Sequence, residues 1–553
     1  MVALRHALTG RDFSLWLNPW KLVTIILVVV MLLPIVAIVF AASGDSGGLW
    51  GHLSQTVLPR YVVNTLSLML GVGVLSLLFG VSTAWIVFRY EFPGRRIVQW
   101  VLLLPAAMPG YLIAYTYTDF LEYAGPVQVW LRDIFGWSSA RDYWFPEIRS
   151  MGGAILVLGA VLYPYVYIMA RTAYLVTPAS LFEVGRVAGR SLFWSVALPL
   201  ARPAIVAGLA LVLMETLSDF GTVEYFAIET LTLGIFNVWL GMNSLTAAAQ
   251  IACFSFLFVI ALLTVEVLSR ARRRFVDTTR RSASLAPERV RGRQALGCLA
   301  ACLTPVVVGF AVPVTVLLNF VFKGYSIELD ITMIEAAGNS IFIGLVAAIL
   351  VIGTAALIGL VSMFEKGVWL SRFSALASFG YAFPGTILAI GVVTVGGGLD
   401  RSLAAGFEGV LGISYEGWLT SGVGLIIFAC VIRFQAVGYG AVVTGLGRVS
   451  TNMLEASRML GRGVAESIWR VMLPMIRLSC LAGGLLVFVD VMKELPMSLL
   501  LRPFNYETLA TFVYQFAKDE LLEEAALPAL AIVVTGIIPV ILMNMTLNRI
   551  SER

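Results

Sequence analysis

Residues 198–219 read LPLARPAIVAGLALVLMETLSD, and residues 473–494 read LPMIRLSCLAGGLLVFVDVMKE. Each opens on Leu-Pro and runs through an apolar stretch long enough to cross a bilayer core of about 30 Å, which takes roughly 20 helical residues. The two align at one constant offset in residue number: Leu198-Pro199 matches Leu473-Pro474, Arg202 matches Arg477, and Gly208 matches Gly483. Glu215 and Asp219 fall on Asp490 and Glu494 at the same offset. The match extends outward. Asn64-Thr65 matches Asn339-Ser340, and Pro109-Gly110 matches Pro384-Gly385. One offset shared by so many features reads as an internal repeat.

The rest of the chain fits a lipid solvent. Of 553 residues, 59% are hydrophobic and 13% charged, with mean hydropathy +0.90; a soluble domain carries about 25% charged residues. Continuous apolar runs lie near 21–42, 62–88, 97–120, 151–176, 199–220 and 246–269, then near 296–322, 339–363, 372–396, 421–446, 474–499 and 526–547. Runs of this length predict helices, which satisfy their own backbone in hydrocarbon. The expected fold class is an all-α membrane protein of about twelve transmembrane helices, in two six-helix repeats. An even number of spans per repeat makes the copies parallel, with the pathway expected between them. The expected organisation is a first half at 1–269, an Arg-rich linker at 270–295 and a second half at 296–553.

Nine arginines lie between Arg270 and Arg293. Arg5, Arg11 and Lys21 precede the first span, while the 43–59 and 323–338 loops carry few basic residues. The positive-inside rule then places both termini and the linker in the cytoplasm. A juxtamembrane basic segment reads as an orientation signal and lipid contact rather than a nucleic-acid site. The first apolar run, with no clear small-residue cleavage site after it, reads as a retained anchor.

Little suggests covalent chemistry. The five cysteines (Cys253, Cys298, Cys302, Cys430, Cys480) sit in apolar runs without zinc spacing, and only His6 and His52 are histidines. There is no GxxxxGK[ST] phosphate loop. No cofactor is expected on this chain, and it reads as a non-enzyme.

Two loops carry a resemblance: LFEVGRVAGRSLFWSVALPLARP at 181–203 and MLEASRMLGRGVAESIWRVMLPMIR at 453–477. Both place a glutamate, small residues, a glycine six residues on, and Leu-Pro at the next span. This resembles the EAA loop of ABC importer permeases, a helix–glycine–helix element that docks on the ATP-hydrolysing subunit. The residues carried over are Glu183, Gly185, Gly189 and Pro199, and Glu455, Ala456, Gly461 and Pro474. An acid early in a short helix suits the dipole, glycine can end the helix at positive φ, and proline suits a helix start. The stretch from Gly461 to Pro474 has the usual family spacing, and the stretch from Gly189 to Pro199 is about one helical turn shorter. Residues 214–239 and 493–520 look like the fused permeases of bacterial ferric-iron importers; thiamine permeases share that plan.

The resemblance implies a type I ABC importer permease fold in the bacterial inner membrane. The implied partners are two copies of an ABC ATPase subunit, which hold ATP and Mg, and a periplasmic solute-binding protein. A stand-alone secondary transporter is the alternative of another class. Glu215, Asp219, Asp490 and Glu494 are candidate lining residues of a cation vestibule, since ionisable groups at membrane depth usually face an interior or wet cavity and carboxylates are hard oxygen ligands. Loop-capping or pairing with Lys493 is the structural reading. Trp130, Trp137, Tyr143, Trp144 and Phe145 in the 125–150 loop read as interfacial aromatics or as a docking surface for the binding protein.

Overall fold

The computed structural model describes the chain except residues 1–18, 272–284, 325–330, 365–367, 409–416, 418, 448, 450–452, 454, 455, 458, 462, 463, 552 and 553. Ten helices among the described residues are long and apolar enough to cross a membrane, and one further helix pair qualifies if counted together. That pair falls where a single span over 97–120 is expected. It comprises Arg95–Ala107 and Gly110–Phe135, bent by 93°. Pro105 and Pro109 lie at the bend, and each lacks the N–H that an uninterrupted helix needs. The repeat reproduces the break: a 3-10 stretch Leu376–Ala382 precedes Pro384, and the long helix is Gly385–Gly406 rather than 372–396.

Pro199 and Pro474 stand in the first turn of the α-helices Leu198–Ser218 and Leu473–Met492, where a missing N–H costs no bond. Each follows a π-turn, Phe193–Ala197 and Ile468–Met472, that runs directly into the span. A proline ring clashes with the carbonyl four residues back, and a π-turn widens the helix at that point. The spans end at Ser218 and Met492, and short helices Gly221–Tyr225 and Pro496–Leu501 follow, so the run expected over 474–499 is two elements.

The chain forms two compact units that are discontinuous in sequence. One holds Met1–Ser43 with Gly338–Tyr506, the other Gly44–Ala337 with Glu507–Arg553. In the first, helix Pro19–Ala42 packs along Gly385–Gly406. Their approach is so close that a Cβ on Gly391 would lie 2.3 Å from the Pro34 carbonyl oxygen. Helices Gly424–Leu446 and Leu473–Met492 enclose a cluster that includes Val442, Leu446, Met472 and Ile476.

In the second unit, Leu58–Arg89 packs along Met151–Val176, with Gly80 against Val166 and Gly159 against Leu75. The Tyr163 hydroxyl donates to the Leu102 carbonyl at 2.8 Å, and Tyr117 to Val308 at 2.8 Å. The repeat glycines do equivalent work in the two units. Gly208 meets Val166, and Gly483 meets Ala441, which is the repeat equivalent of Val166.

Within the expected linker, residues 272–284 lie outside the described part. Its end is pinned: Glu288–Arg289 pairs in parallel with Tyr90–Glu91, and the Val290 amide donates to the Glu91 carbonyl at 3.0 Å. Arg89 pairs with Glu288, and Arg95 with Glu91 at 2.6 Å. This fixes the entry to Arg293–Val306 in the second unit.

Gly391→Val should overpack the Pro34 crossing and cost about 1–3 kcal/mol. A lowered thermal midpoint of the detergent-solubilised chain is expected, while Gly397→Val, with open space around its Cα, should leave the midpoint unchanged.

Candidate functional site

The first EAA-like loop is an elbow. Its first arm is Ala179–Val187, and Gly189 ends it at φ +64°. The Arg190 amide donates to the Gly185 carbonyl and the Gly189 amide to Arg186, both at 3.0 Å. That pair of bonds is a Schellman end, which needs a left-handed residue at the glycine position. Ser191 starts the second arm, accepting from the Trp194 amide through its hydroxyl and from Ser195 through its carbonyl. Gly185 is buried where the arms cross, and a Cβ there would lie 2.8 Å from Val196 Cγ2. Phe182 is fully buried and packs its ring, tilted, against Trp85 and Phe88 at the end of Leu58–Arg89, tying the elbow to the membrane body. Glu183 is exposed on the outer face.

The second elbow repeats the plan. Gly461 has φ +77°, and the Leu460 amide donates to the Ala456 carbonyl at 3.0 Å. Ser457 stands where Gly185 stands, and its hydroxyl meets Ser467 at 2.8 Å inside the elbow. Ala456 is exposed, while Glu455 lies outside the described residues. The turn's worth of chain that the first loop lacks between Gly189 and Pro199 is lost from the second arm, after the elbow turn has closed.

The elbows also present apolar side chains that a search for Glu, Gly and Pro passes over. Val187 and Met459, two residues before each glycine, are 91% and 88% exposed. Nothing but burial distinguishes them from neighbouring apolar residues. The available signal was their position, two residues ahead of a glycine that ends an amphipathic arm.

The four acids lie in two groups, one per unit. Glu215 is half-buried in the last turn of Leu198–Ser218. Asp219 follows that helix, and its carboxylate accepts from the Thr222 hydroxyl at 3.0 Å and the Val223 amide at 3.2 Å. It therefore caps Gly221–Tyr225. Glu494 caps the repeat helix Pro496–Leu501 in the same way, accepting from the Met497 amide at 3.3 Å. Glu494 is 6% exposed and lies 3.5 Å from Arg433, 7% exposed, on Gly424–Leu446. Asp490 pairs with Lys493 at 2.9 Å. Among the described residues no three of His, Cys, Asp and Glu gather as a metal-ligand set.

A further match appears beyond the acids. Thr230 accepts from the Leu233 amide, and Thr508 from the Thr511 amide, each starting a short helix. Their separation exceeds the repeat offset by three positions, and that shift hides them from a single-offset search.

In the 125–150 segment, Arg132 lies over the Tyr123 ring at 4.0 Å, and Trp137 stacks on Tyr143 at 4.6 Å. A cavity of about 490 Å³ is lined by Tyr143, Trp144, Phe145, Glu147 and Arg149, among others. Trp130 and Trp144 are exposed.

Long apolar helices, broken at paired prolines and carrying two matching elbows, make up this membrane body. Residues 76–276 match the family described as binding-protein-dependent transport system inner membrane component. The chain is 24% identical over 499 residues to the Fe(3+)-transport system permease protein FbpB 2 of Haemophilus influenzae, covering 87% of this chain and 88% of that one. It is 29% identical to the probable sulfate transport system permease protein cysT of Chlorokybus atmophyticus over 38% of this chain and 71% of that one. The molybdenum transport system permease protein ModB of Escherichia coli matches at 27% over 40% of this chain and 94% of its own length. The chain is thus a multi-pass inner-membrane permease of fused, two-half length.

Asp219→Ala removes the cap of Gly221–Tyr225 and should cost about 1 kcal/mol, read as a lower thermal midpoint. Asp219→Asn keeps one oxygen to accept the Val223 amide, while its NH2 can donate to the Thr222 hydroxyl, and it is expected to retain most of that stability.

Proposed function

We propose that this chain is the transmembrane subunit of an ATP-driven importer that moves ferric iron, delivered by a periplasmic binding protein, into the cytoplasm. The observation that carries the substrate is the extent of similarity. The Fe(3+)-transport relative matches 87% of the chain, through both repeats, whereas the sulfate and molybdenum relatives match about one half. Both termini and the Arg-rich linker lie in the cytoplasm on the positive-inside rule.

The chain itself performs translocation. ATP and Mg belong to two copies of a separate ATPase. Each elbow offers that partner an exposed apolar residue, Val187 or Met459, beside a rigid glycine turn. Glu183 adds charge on the arm that carries Val187, and Glu455 is its counterpart in the second loop's sequence. ATP binding biases a body with two conformations, and the ligand shifts that equilibrium only by its differential affinity for them. Glu215, Asp219, Asp490 and Glu494 contribute negative potential along the pathway. Trp130, with Trp144 and the cavity it lines, forms the face offered to the binding protein.

In proteoliposomes with the ATPase and binding protein, ATP-dependent uptake of ferric iron but not thiamine is expected. Uptake of thiamine alone would overturn the substrate. Gly461→Val forces a β-branched residue to positive φ. Together with Glu455→Ala, it should cut ATPase co-purification at least tenfold while the chain stays in the membrane. Joint neutralisation of the four acids to Asn or Gln should lower iron uptake; unchanged uptake with intact ATPase coupling would exclude them from the pathway.

A further inference from the structure

The repeat superimposes the acids, but not their surroundings. Arg433 stands at the repeat position of Leu158, and Lys493 at that of Ser218. Both cations paired with Glu494 and Asp490, namely Arg433 and Lys493, therefore stand where the first repeat has a neutral residue. The joints they occupy are otherwise the same. In the first, a Cβ on Gly110 would lie 2.9 Å from Leu158, 3.0 Å from Thr222 and 3.4 Å from Asp219. In the second, a Cβ on Gly385 would lie 2.4 Å from Arg433 Nη1, 2.9 Å from Glu494 and 3.1 Å from Met497. Each joint brings together the glycine after a proline break, a residue from the next span, and the acid that caps a short helix. Asp219 makes no ion pair among the described residues; its partners are Thr222 and Val223.

We propose that Arg433 and Glu494 form an electrostatic latch, particular to the second repeat, that holds the Pro384–Gly385 break against helix Pro496–Leu501 and is required for coupled transport. Arg433 sits nine residues into Gly424–Leu446, about 14 Å along it at 1.5 Å per residue, well inside the span. Two ions this deeply buried are not a favourable default. Desolvation can exceed their mutual attraction, and well-packed apolar residues often serve as well. The first repeat shows that the same joint forms with Leu158 in place of the cation. The second repeat thus keeps a charge pair its architecture does not need. Removing one member takes this counter-ion from the other while it stays buried, and the hold on the joint weakens. Both residues are positioning residues: they set where the broken span meets the short helix.

The latch rests on reading the chain as an ATP-driven importer, and the test separates the two. The full chain is reconstituted with its ATPase and binding protein, and iron uptake is measured per ATP hydrolysed. Arg433→Lys keeps the charge and Arg433→Gln removes it at similar length. Uptake per ATP at least threefold higher in Arg433→Lys is expected; equal values overturn the latch. A variant carrying Arg433→Leu, Glu494→Asp and Met497→Thr gives the second joint the first joint's side chains. It should fold with a thermal midpoint close to the unmodified chain and lose at least threefold in uptake per ATP. A smaller loss overturns the proposal. Amide exchange is followed in parallel on the solubilised chain without ATP. Arg433→Gln should exchange residues 495–501 at least tenfold faster than the unmodified chain, with residues 220–226 unchanged. Unaltered exchange at 495–501 overturns the latch whatever the transport result. Unmodified vesicles that take up no iron with ATP count against the importer reading and leave the exchange result to decide the latch.

Discussion

Hydrocarbon supplies no hydrogen bonds, so every backbone N–H and C=O in a span must be satisfied inside the chain. That constraint governs where this protein is regular and where it bends. Helix runs unbroken through Leu58–Arg89 and Ile331–Phe364. It departs from α geometry beside Pro105 and Pro109, ahead of Pro384, and in the π-turns before Pro199 and Pro474. At the two broken spans the departure is covered by protein. Leu102 supplies a carbonyl to Tyr163, and Gly385 is covered by Arg433, Glu494 and Met497. Pro109 and Pro384 recur at the repeat spacing, as do Pro199 and Pro474, so these irregular points recur too, and at the first pair of breaks an acid lies close by, Asp219 beside Gly110 and Glu494 beside Gly385.

Close packing follows from the same source. Lipid and leucine are similarly apolar, so helices associate through backbone approach and small residues. Gly391 against Pro34, Gly309 against Ala160, and Gly536 against Ala107 each leave no room for a Cβ, with the ideal atom 2.3 Å from a carbonyl oxygen. Cys302 and Cys430 are buried without disulfides and pack as small apolar residues.

Much of this was legible in the sequence. The constant offset located the repeat, matched Pro109 with Pro384 and superimposed the four acids, and the Glu, Gly and Leu-Pro pattern located the elbows at Gly189 and Gly461; the breaks at the two prolines are not in that reading, which has single spans over 97–120 and 372–396. What escaped depended on contacts between distant segments. Glu494 has its counter-ion on a different span, far back in the sequence, and Arg433 is a position at which the repeat fails, so a search for matches discards it. Thr230 and Thr508 escaped because a short shift in register precedes them. Val187 and Met459 escaped because exposure, not residue type, makes them distinctive. A repeat in sequence reports common ancestry of halves; it does not say which half a given span packs against. Helix Pro19–Ala42 belongs with Gly338–Tyr506, and only packing reveals it.

That exchange of segments has a consequence for how the protein is made. Synthesis proceeds from the N-terminus at about 5–20 residues per second. The first span is complete roughly 15–60 s before residue 338 leaves the ribosome at those rates. It must wait in the bilayer as a solitary helix, and it is suited to that: Lys21, at its end, is its only charged residue, and its apolar window has a hydropathy of 3.3. The larger unit waits too, for residues 507–553, another roughly 10–30 s after residue 337. Neither compact unit can close on the products of its own half of the gene. Assembly is therefore held open until nearly the whole chain has been translated, and a ribosome that stalls after the linker leaves both units incomplete.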